Sequence, residues 1–215
     1  MKIEMKDYCK TLRGAEVLKH INMTFTSGNV YGLKGQNGCG KTMMMRAICG
    51  LILPTSGEVL IDGKVLGKDM SFPESVGVLI ENPAFINAYT GFKNLRFLAD
   101  IQKKITDEEI REAITEVGLD PDDKRSYRKY SLGMKERLGI AAAIMGTPEL
   151  IILDEPLNGI DESGVEMIKK LIADLKEKSK LVIMSCHDAE DLYSLCNVVV
   201  NVSAGKIIST EGEAK

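Results

Sequence analysis

The sequence predicts an α/β fold: a mixed core around a phosphate-binding loop, an antiparallel β part near the N-terminus, and a helical subdomain inserted into the core. Three observations predict it. Apolar runs of strand length alternate with helical patterns along the chain. A glycine-rich loop, Gly35-Gln36-Asn37-Gly38-Cys39-Gly40-Lys41-Thr42, stands between a strand pattern and a helix pattern. A charged, helix-patterned segment from about Thr90 to Arg128 then interrupts the alternation.

The elements follow in order. Val30-Tyr31-Gly32-Leu33 reads as a strand, and Lys41 to Cys49 as a helix stopped by Gly50 and followed by Pro54. Val59-Leu60-Ile61 and Lys64-Val65 flank Asp62-Gly63, the turn signal of a two-residue antiparallel hairpin. Val76 to Ile80, Leu150 to Leu153, Leu181 to Met184 and Val198 to Val202 are further strands. Their nearly unbroken apolar character suits strands covered on both faces. Inside the insertion, Thr106 caps a helix with Glu109 three residues on, and Ile105 and Ile110 stand at the staple positions. Ile110, Ala113, Ile114 and Val117 form one apolar face, which Gly118 ends. Val165, Ile168, Leu171, Ile172 and Leu175 mark another core-facing helix.

Bulk properties narrow the class. A chain of 215 residues fits one domain with a subdomain. The net charge of −3 lacks the basic surplus of a nucleic-acid binder, so none is expected as a partner. No apolar run approaches the ~18 residues of a membrane-crossing helix. The start, Met1 to Asp7, lacks the apolar core of a signal peptide. The cysteines Cys9, Cys39, Cys49, Cys186 and Cys196 form no CxxC pair and are odd in number. They read as small buried hydrophobes in a reducing cytoplasm. Cys39 is set apart by its place in the loop, where alkylation in the apo protein and shielding by ATP are expected.

The loop and an acidic pair carry the chemistry. The glycines let successive N–H groups of Gly35 to Thr42 point at phosphate oxygens, and the following helix N-terminus adds positive potential. Lys41 supplies a cation for the β- and γ-phosphates, and the Thr42 hydroxyl is a ligand for Mg²⁺. Leu150-Ile151-Ile152-Leu153 runs directly into Asp154-Glu155-Pro156, delivering two carboxylates to the carboxyl end of a buried strand. An Asp-Glu pair there is common by itself. Beside a phosphate loop, Asp154 reads as the Mg²⁺ holder and Glu155 as the base that polarises a water for attack on the γ-phosphate.

Tyr130-Ser131-Leu132-Gly133-Met134-Lys135-Glu136-Arg137 precedes the acidic strand and opens a helix. The loop, this segment, Ile151-Ile152-Leu153-Asp154-Glu155-Pro156, Asn158 to Asp161, and Ser185-Cys186-His187-Asp188 follow in an order that resembles the nucleotide-binding subunit of ABC transporters, from about Ile3 to Gly205. The resemblance implies a P-loop ATPase core with core segments 1–86 and 148–215 and a helical subdomain at 87–147. It implies that two such subunits, as a homodimer or heterodimer, sandwich two ATPs, with Ser131 and Gly133 facing the γ-phosphate held by the partner's loop. It also implies that Asn158 to Asp161 pass between the sites and that His187 contacts the γ-phosphate and orients the attacking water. A separate transmembrane permease, contacted around Glu81 to Leu98, and a place on the inner face of the cell membrane complete the expectation.

The chain departs from the family pattern in places. Tyr130, Leu132 and Met134 replace three of the five usual signature residues, Leu-Ser-Gly-Gly-Gln, while Ser131 and Gly133 remain. Glu81 stands where a glutamine touching Mg²⁺ is usual, and a carboxylate still ligands the metal but donates no hydrogen bond. Glu81-Asn82-Pro83-Ala84-Phe85 with Ser131 to Lys135 resembles the bacitracin- and lantibiotic-exporter branch. The aromatic that usually stacks on adenine is missing: Leu12 aligns there, and Tyr8 is the nearest aromatic. The reading is an ATP-hydrolysing subunit energising transport. A non-transport ATPase of the same type, a P-loop kinase or GTPase, and a regulatory nucleotide binder stand as alternatives.

Overall fold

The computed structural model describes residues 1–81, 83–102, 105–186 and 188–214. Two sheets organise it. The first is antiparallel: β1 (Lys2–Leu12), β2 (Ala15–Thr26), β4 (Ser56–Ile61) and β5 (Lys64–Val65), in the order β2-β1-β4-β5. The second holds β3 (Val30–Lys34), β6 (Val76–Leu79), β7 (Leu150–Asp154), β8 (Leu181–Ser185), β9 (Val198–Ser203) and β10 (Lys206–Gly212), in the order β10-β9-β3-β8-β7-β6. All its neighbours run parallel except the β9–β10 hairpin. The helices are α1 (Lys41–Ile48), α2 (Gly91–Gln102), α3 (Asp107–Glu116), α4 (Leu132–Ile144), α5 (Glu162–Glu177) and α6 (Ala189–Leu195).

Side-chain alternation along the central strands divides the apolar interior in two. On β7, Ile151 and Leu153 join the helical side, with α2 to α6; Leu150 and Ile152 join the side covered by α1 and the antiparallel sheet. On β8, Val182 and Met184 face one way and Leu181 and Ile183 the other. Every one of these eight side chains is fully buried. At about 1.5–3 kcal/mol for each buried aliphatic side chain, these two strands alone contribute on the order of 10–20 kcal/mol of gross burial free energy. The near-continuous apolar runs are thus the consequence of a sheet covered on both faces.

The sequence expectations for β3, α1, the Asp62-Gly63 hairpin, β6 to β9, α3, α4 and α5 agree with these elements. Asp62 and Gly63 both take positive φ, 48° and 83°, as a primed two-residue turn demands. Thr106 accepts from the Glu109 N–H while the Glu109 carboxylate accepts from the Thr106 N–H, closing the expected capping box. The antiparallel part is larger than the hairpin indicated. β1 and β2 pair over most of their length but carry register shifts between Met5 and Thr11, and these bulges erase the period-2 pattern that would have revealed the strands.

Helix α4 joins the insertion to the core. It packs against α2 and α3 on one side and against β6 and β7 on the other. Its approach to β6 is so close that a Cβ on Gly77 would lie 1.6 Å from the Ala143 carbonyl oxygen. Gly77→Ala is therefore expected to push α4 off β6 and to destabilise the chain by about 3 kcal/mol. A urea melt with an unchanged midpoint would contradict this packing.

Candidate functional site

Parallel register builds the site. Leu79 pairs with Leu153, Asp154 with Ser185, and Leu33 with Ser185, so β6, β7, β8 and β3 end along one edge of the sheet. The chain segments leaving those ends carry Glu81, Glu155, Cys186 and the Gly35–Thr42 loop. Ligands of open α/β sheets bind outside such carboxyl ends.

The loop wraps the start of α1. Gly40, with φ of 117°, is the N-cap of α1, and a side chain there would be strained and would crowd Val17 and Leu18. Lys41 is buried, and its Nζ donates to the carbonyls of Gly35 at 2.7 Å and Gln36 at 3.3 Å. Asn37, Gly38, Gly40, Lys41, Thr42, Met43 and Glu155 line a cavity of about 470 Å³, whose far wall is Glu16, Val17, Lys19, Ala204 and Gly205. Gln36 joins Asn37 and Gly35 along an adjacent groove with Cys186 and Ala189. The cavity suits a polyphosphate: it offers backbone N–H groups at a helix N-terminus and the lysines Lys41 and Lys19.

A hydrogen-bond chain holds the acidic pair. Thr42 Oγ1 donates to Asp154 Oδ2 at 2.6 Å, and Ser185 Oγ donates to Asp154 Oδ1 at 2.6 Å. The Glu155 N–H in turn donates to Ser185 Oγ at 3.0 Å. Asn158 Nδ2 donates to Glu155 Oε2 at 2.6 Å. Glu155 and Glu81 adopt left-handed φ, 55° and 62°, each turning sharply as its strand ends. Such a conformation costs a non-glycine residue on the order of 1–2 kcal/mol and persists where the surroundings fix it. The Glu81 carboxylate pairs with Arg46 of α1 at 2.5 Å.

Thr42, Glu81, Glu136, Asp154, Glu155 and Asn158 line a second cavity of about 310 Å³. All its charged groups are carboxylates, and its donors are oxygens and one amide. That donor set suits a hard divalent cation such as Mg²⁺. Glu136 has no role of its own in the sequence reading, where it is one residue of the Tyr130–Arg137 segment. The available signal was helical spacing: Glu136 shares a face with Gly139, Ile140 and Ala143, all buried. Burial pushes its carboxyl above the usual glutamate range. Ser185, which opens the Ser185-Cys186-His187-Asp188 segment, bridges Asp154 and the Glu155 backbone, a role the sequence reading does not assign it.

Other residues stand apart. Ser131 is the N-cap of α4, its Oγ accepting from the Met134 N–H at 3.2 Å, and it is exposed. Gly133 backs onto the Asn158–Asp161 segment, where a Cβ would stand 3.0 Å from the Gly159 carbonyl oxygen. Neither Ser131 nor Gly133 lines the two cavities of its own chain. His187 lies outside the described residues.

Two expectations need correction. Tyr8 does not reach a nucleotide: its ring is fully buried in the core beneath the antiparallel sheet, and its hydroxyl donates to the Ile52 carbonyl at 3.1 Å. The bulges in β1 turn it inward, and the nucleotide cavity has no aromatic among the residues lining it. Cys39 contributes its backbone to the loop, but its thiol packs inward against Gly35 and is 8% exposed.

Comparisons with known proteins follow the same outline. The chain matches the family model described as ABC transporter over residues 18–158. It is 42% identical over 209 residues to YybJ, an uncharacterized ABC transporter ATP-binding protein of Bacillus subtilis, covering 97% of this chain and 96% of that one. It is 35% identical over 208 residues to BcrA of Enterococcus faecalis, a bacitracin transport ATP-binding protein, covering 96% of this chain and 68% of that one. Its fold superposes with a TM-score of 0.89 on an ATP-binding cassette solved as a dimer in a post-hydrolysis state bound to ADP and Pi, at 21% identity and 99% coverage of both chains.

Two outcomes are expected from this geometry. Cys39 should react with a maleimide far more slowly than an exposed cysteine in nucleotide-free protein, and rapid labelling assigned to it by mass spectrometry would contradict its burial. For Glu136, a raised native pKa means that the folded state keeps the proton longer than the unfolded chain. Its contribution to stability is then present below the unfolded pKa and lost as pH rises through the folded one. Glu136→Gln should be more stable than the parent at neutral pH, with the gap closing toward pH ~4. Urea melts across that range with a constant gap would refute it.

Proposed function

This chain belongs to the ABC transporter family, and we propose that it is the subunit that binds and hydrolyses ATP to drive transport through a separate membrane subunit. The observation that carries the reading is the bond chain from Thr42 through Asp154 and Ser185 to the Glu155 backbone. It fixes a loop, a strand end and a left-handed acidic residue into one oxygen-lined edge. A P-loop kinase or GTPase is set aside by the family match, which extends beyond the loop to residue 158.

The residues divide the work. Backbone N–H groups of Gly35 to Thr42 hold the phosphates, and Lys41 neutralises charge on the β- and γ-phosphates. The Thr42 hydroxyl, Asp154 and Glu81 are the groups that would hold Mg²⁺, which when bound neutralises charge on phosphate oxygens. Glu155 accepts the proton of the water that attacks the γ-phosphorus, its carboxylate oriented by Asn158. Ser185 keeps Asp154 and Glu155 in mutual register. His187, one residue past Cys186 after β8, is assigned the γ-phosphate contact.

The site is completed by a second subunit. Ser131 and Gly133 sit at the exposed N-terminus of a 13-residue helix, away from their own chain's cavities. The Ser131 oxygen is used as an acceptor by Met134 and keeps its O–H as a donor. A helix end with N–H donors and one hydroxyl suits the terminal phosphate of ATP held by a partner loop. In this arrangement residues 87–147 form the arm and 1–86 with 148–215 the core. The membrane partner contacts the cleft around Glu81 to Leu98, where Ile86, Phe97 and Leu98 are exposed. No helix among the described residues is long and apolar enough to cross a membrane. We assign the chain to the inner face of the cell membrane and, on its similarity to BcrA, to export of a peptide antibiotic.

Glu155→Gln tests the reading. ATP turnover by the assembled complex should fall at least ~100-fold, a loss within the range of general-base removal. Size-exclusion chromatography with ATP should then show a dimer that the parent does not accumulate. Unchanged turnover would remove Glu155 from the mechanism, and retrieval of the chain without any membrane subunit would remove transport.

A further inference from the structure

A second cluster of metal-ligating side chains lies on the β1–β2 hairpin, away from the nucleotide cavities. Asp7, Cys9 and His20 each present a ligand atom, and these atoms all lie within 4.8 Å of one another. His20 Nδ1 stands 2.7 Å from Asp7 Oδ1. Asp7 and His20 are exposed, while Cys9 is buried below them. We propose that Asp7, Cys9 and His20 form a binding site for a borderline-soft divalent transition metal, of which Zn²⁺ is the first candidate.

The donor chemistry selects that class of ion. One thiolate, one imidazole and one carboxylate make an S, N, O set, which suits Zn²⁺ or Co²⁺ and is poorly matched to Mg²⁺ or Ca²⁺. Two anionic ligands neutralise a dication. Three protein ligands leave a fourth tetrahedral position for water. From ordinary bond lengths, the ligand atoms of such an ion stand about 3.3–3.6 Å apart, so the cluster needs shifts of roughly 1 Å. The exposed Asp7 and His20 side chains can supply these shifts, while the buried Cys9 stays in place.

An ordinary surface ion pair accounts for Asp7 and His20 but leaves the sulfur unexplained. The His20 backbone N–H donates to Cys9 Sγ at 3.2 Å. This contact holds the sulfur on the side of the hairpin that also carries Asp7 and His20. The carboxamide of Asn22 spans the cluster: its Oδ1 accepts from the Asp7 N–H at 2.9 Å and its Nδ2 donates to the His20 carbonyl at 3.1 Å. Such outer contacts orient ligands in built metal sites. The location gives the site a consequence. His20 is three residues along β2 from Val17, which walls the nucleotide cavity, so an ion here pins the two strands of that hairpin together.

The test uses the full chain with Zn²⁺ and Co²⁺ alone as probes. Zn²⁺ should be withdrawn from a chromophoric chelator at one equivalent per chain. Co²⁺ should give a thiolate-to-metal charge-transfer absorption that Cys9→Ser abolishes. His20→Asn and Asp7→Asn, which keep residues tolerant of left-handed φ at exposed positions with φ of 50° and 45°, should each weaken Zn²⁺ binding at least about tenfold while melting like the parent without metal. The parent's melting temperature should rise with Zn²⁺, and that of His20→Asn should not. No uptake by the parent, or parent-like affinity in His20→Asn and Cys9→Ser, would overturn the site and leave the nucleotide reading untouched.

Discussion

The structure depends on one constraint: four parallel strands must end in register at one edge. Leu79, Leu153 and Ser185 stand near that edge, and one to two residues later come Glu81 and Glu155, with the phosphate loop leaving β3 beside them. The register is held by side chains rather than by the polar residues it serves. β7 and β8 bury alternate residues into two separate apolar masses, and a slip of one residue would exchange every member of both sets. Function therefore sits where burial stops, and the strands are specified strongly enough to carry strain at Glu81 and Glu155.

That edge concentrates negative charge. Glu81, Glu136, Asp154 and Glu155 share one cavity, and burial already disfavours ionisation of Glu136. Like charges about 4 Å apart at a partly wetted site repel by on the order of 4 kcal/mol. The protein offsets part of this internally: Arg46 pairs with Glu81, and hydroxyl donors from Thr42 and Ser185 occupy both oxygens of Asp154. The arrangement favours a divalent cation, and it favours one more when Glu81 is a carboxylate than it would with a neutral amide there. The same substitution that departs from the usual family pattern raises the charge available to hold the ion.

Much of this was legible in the sequence, for a physical reason. Strands buried on both faces write continuous apolar runs, and the phosphate loop writes its own glycines, so β3, β6 to β9 and Gly35–Thr42 were readable. β1 and β2 were not, because bulges near Asp7 and His20 break the alternation and a one-sided sheet writes a weaker signal. The same bulges explain the error at Tyr8, whose side a count along the strand cannot fix. Cys39 was misjudged differently: a loop residue was taken as accessible, but tight curling of the loop around α1 turns its thiol inward. Glu136 and Ser185 escaped because their importance lies in partners 18 and 31 residues away, Asp154 in both cases, and a short motif cannot show such pairing.

Helix α4 presents different groups inward and outward. Its residue Glu136 faces the cavity of its own chain, and its N-cap Ser131 faces outward. The two are five residues apart, about 7.5 Å of helix rise. Gly133, between them, lies against the backbone that follows Asn158, and Asn158 holds Glu155. Ser131 thus stands on an element that also borders the acidic pair of its own chain. The close contact of Ala143 with Gly77 prevents α4 from tilting freely about its C-terminal end. One short helix thus carries both a carboxylate that lines its own chain's acidic cavity and a capped, outward-facing N-terminus.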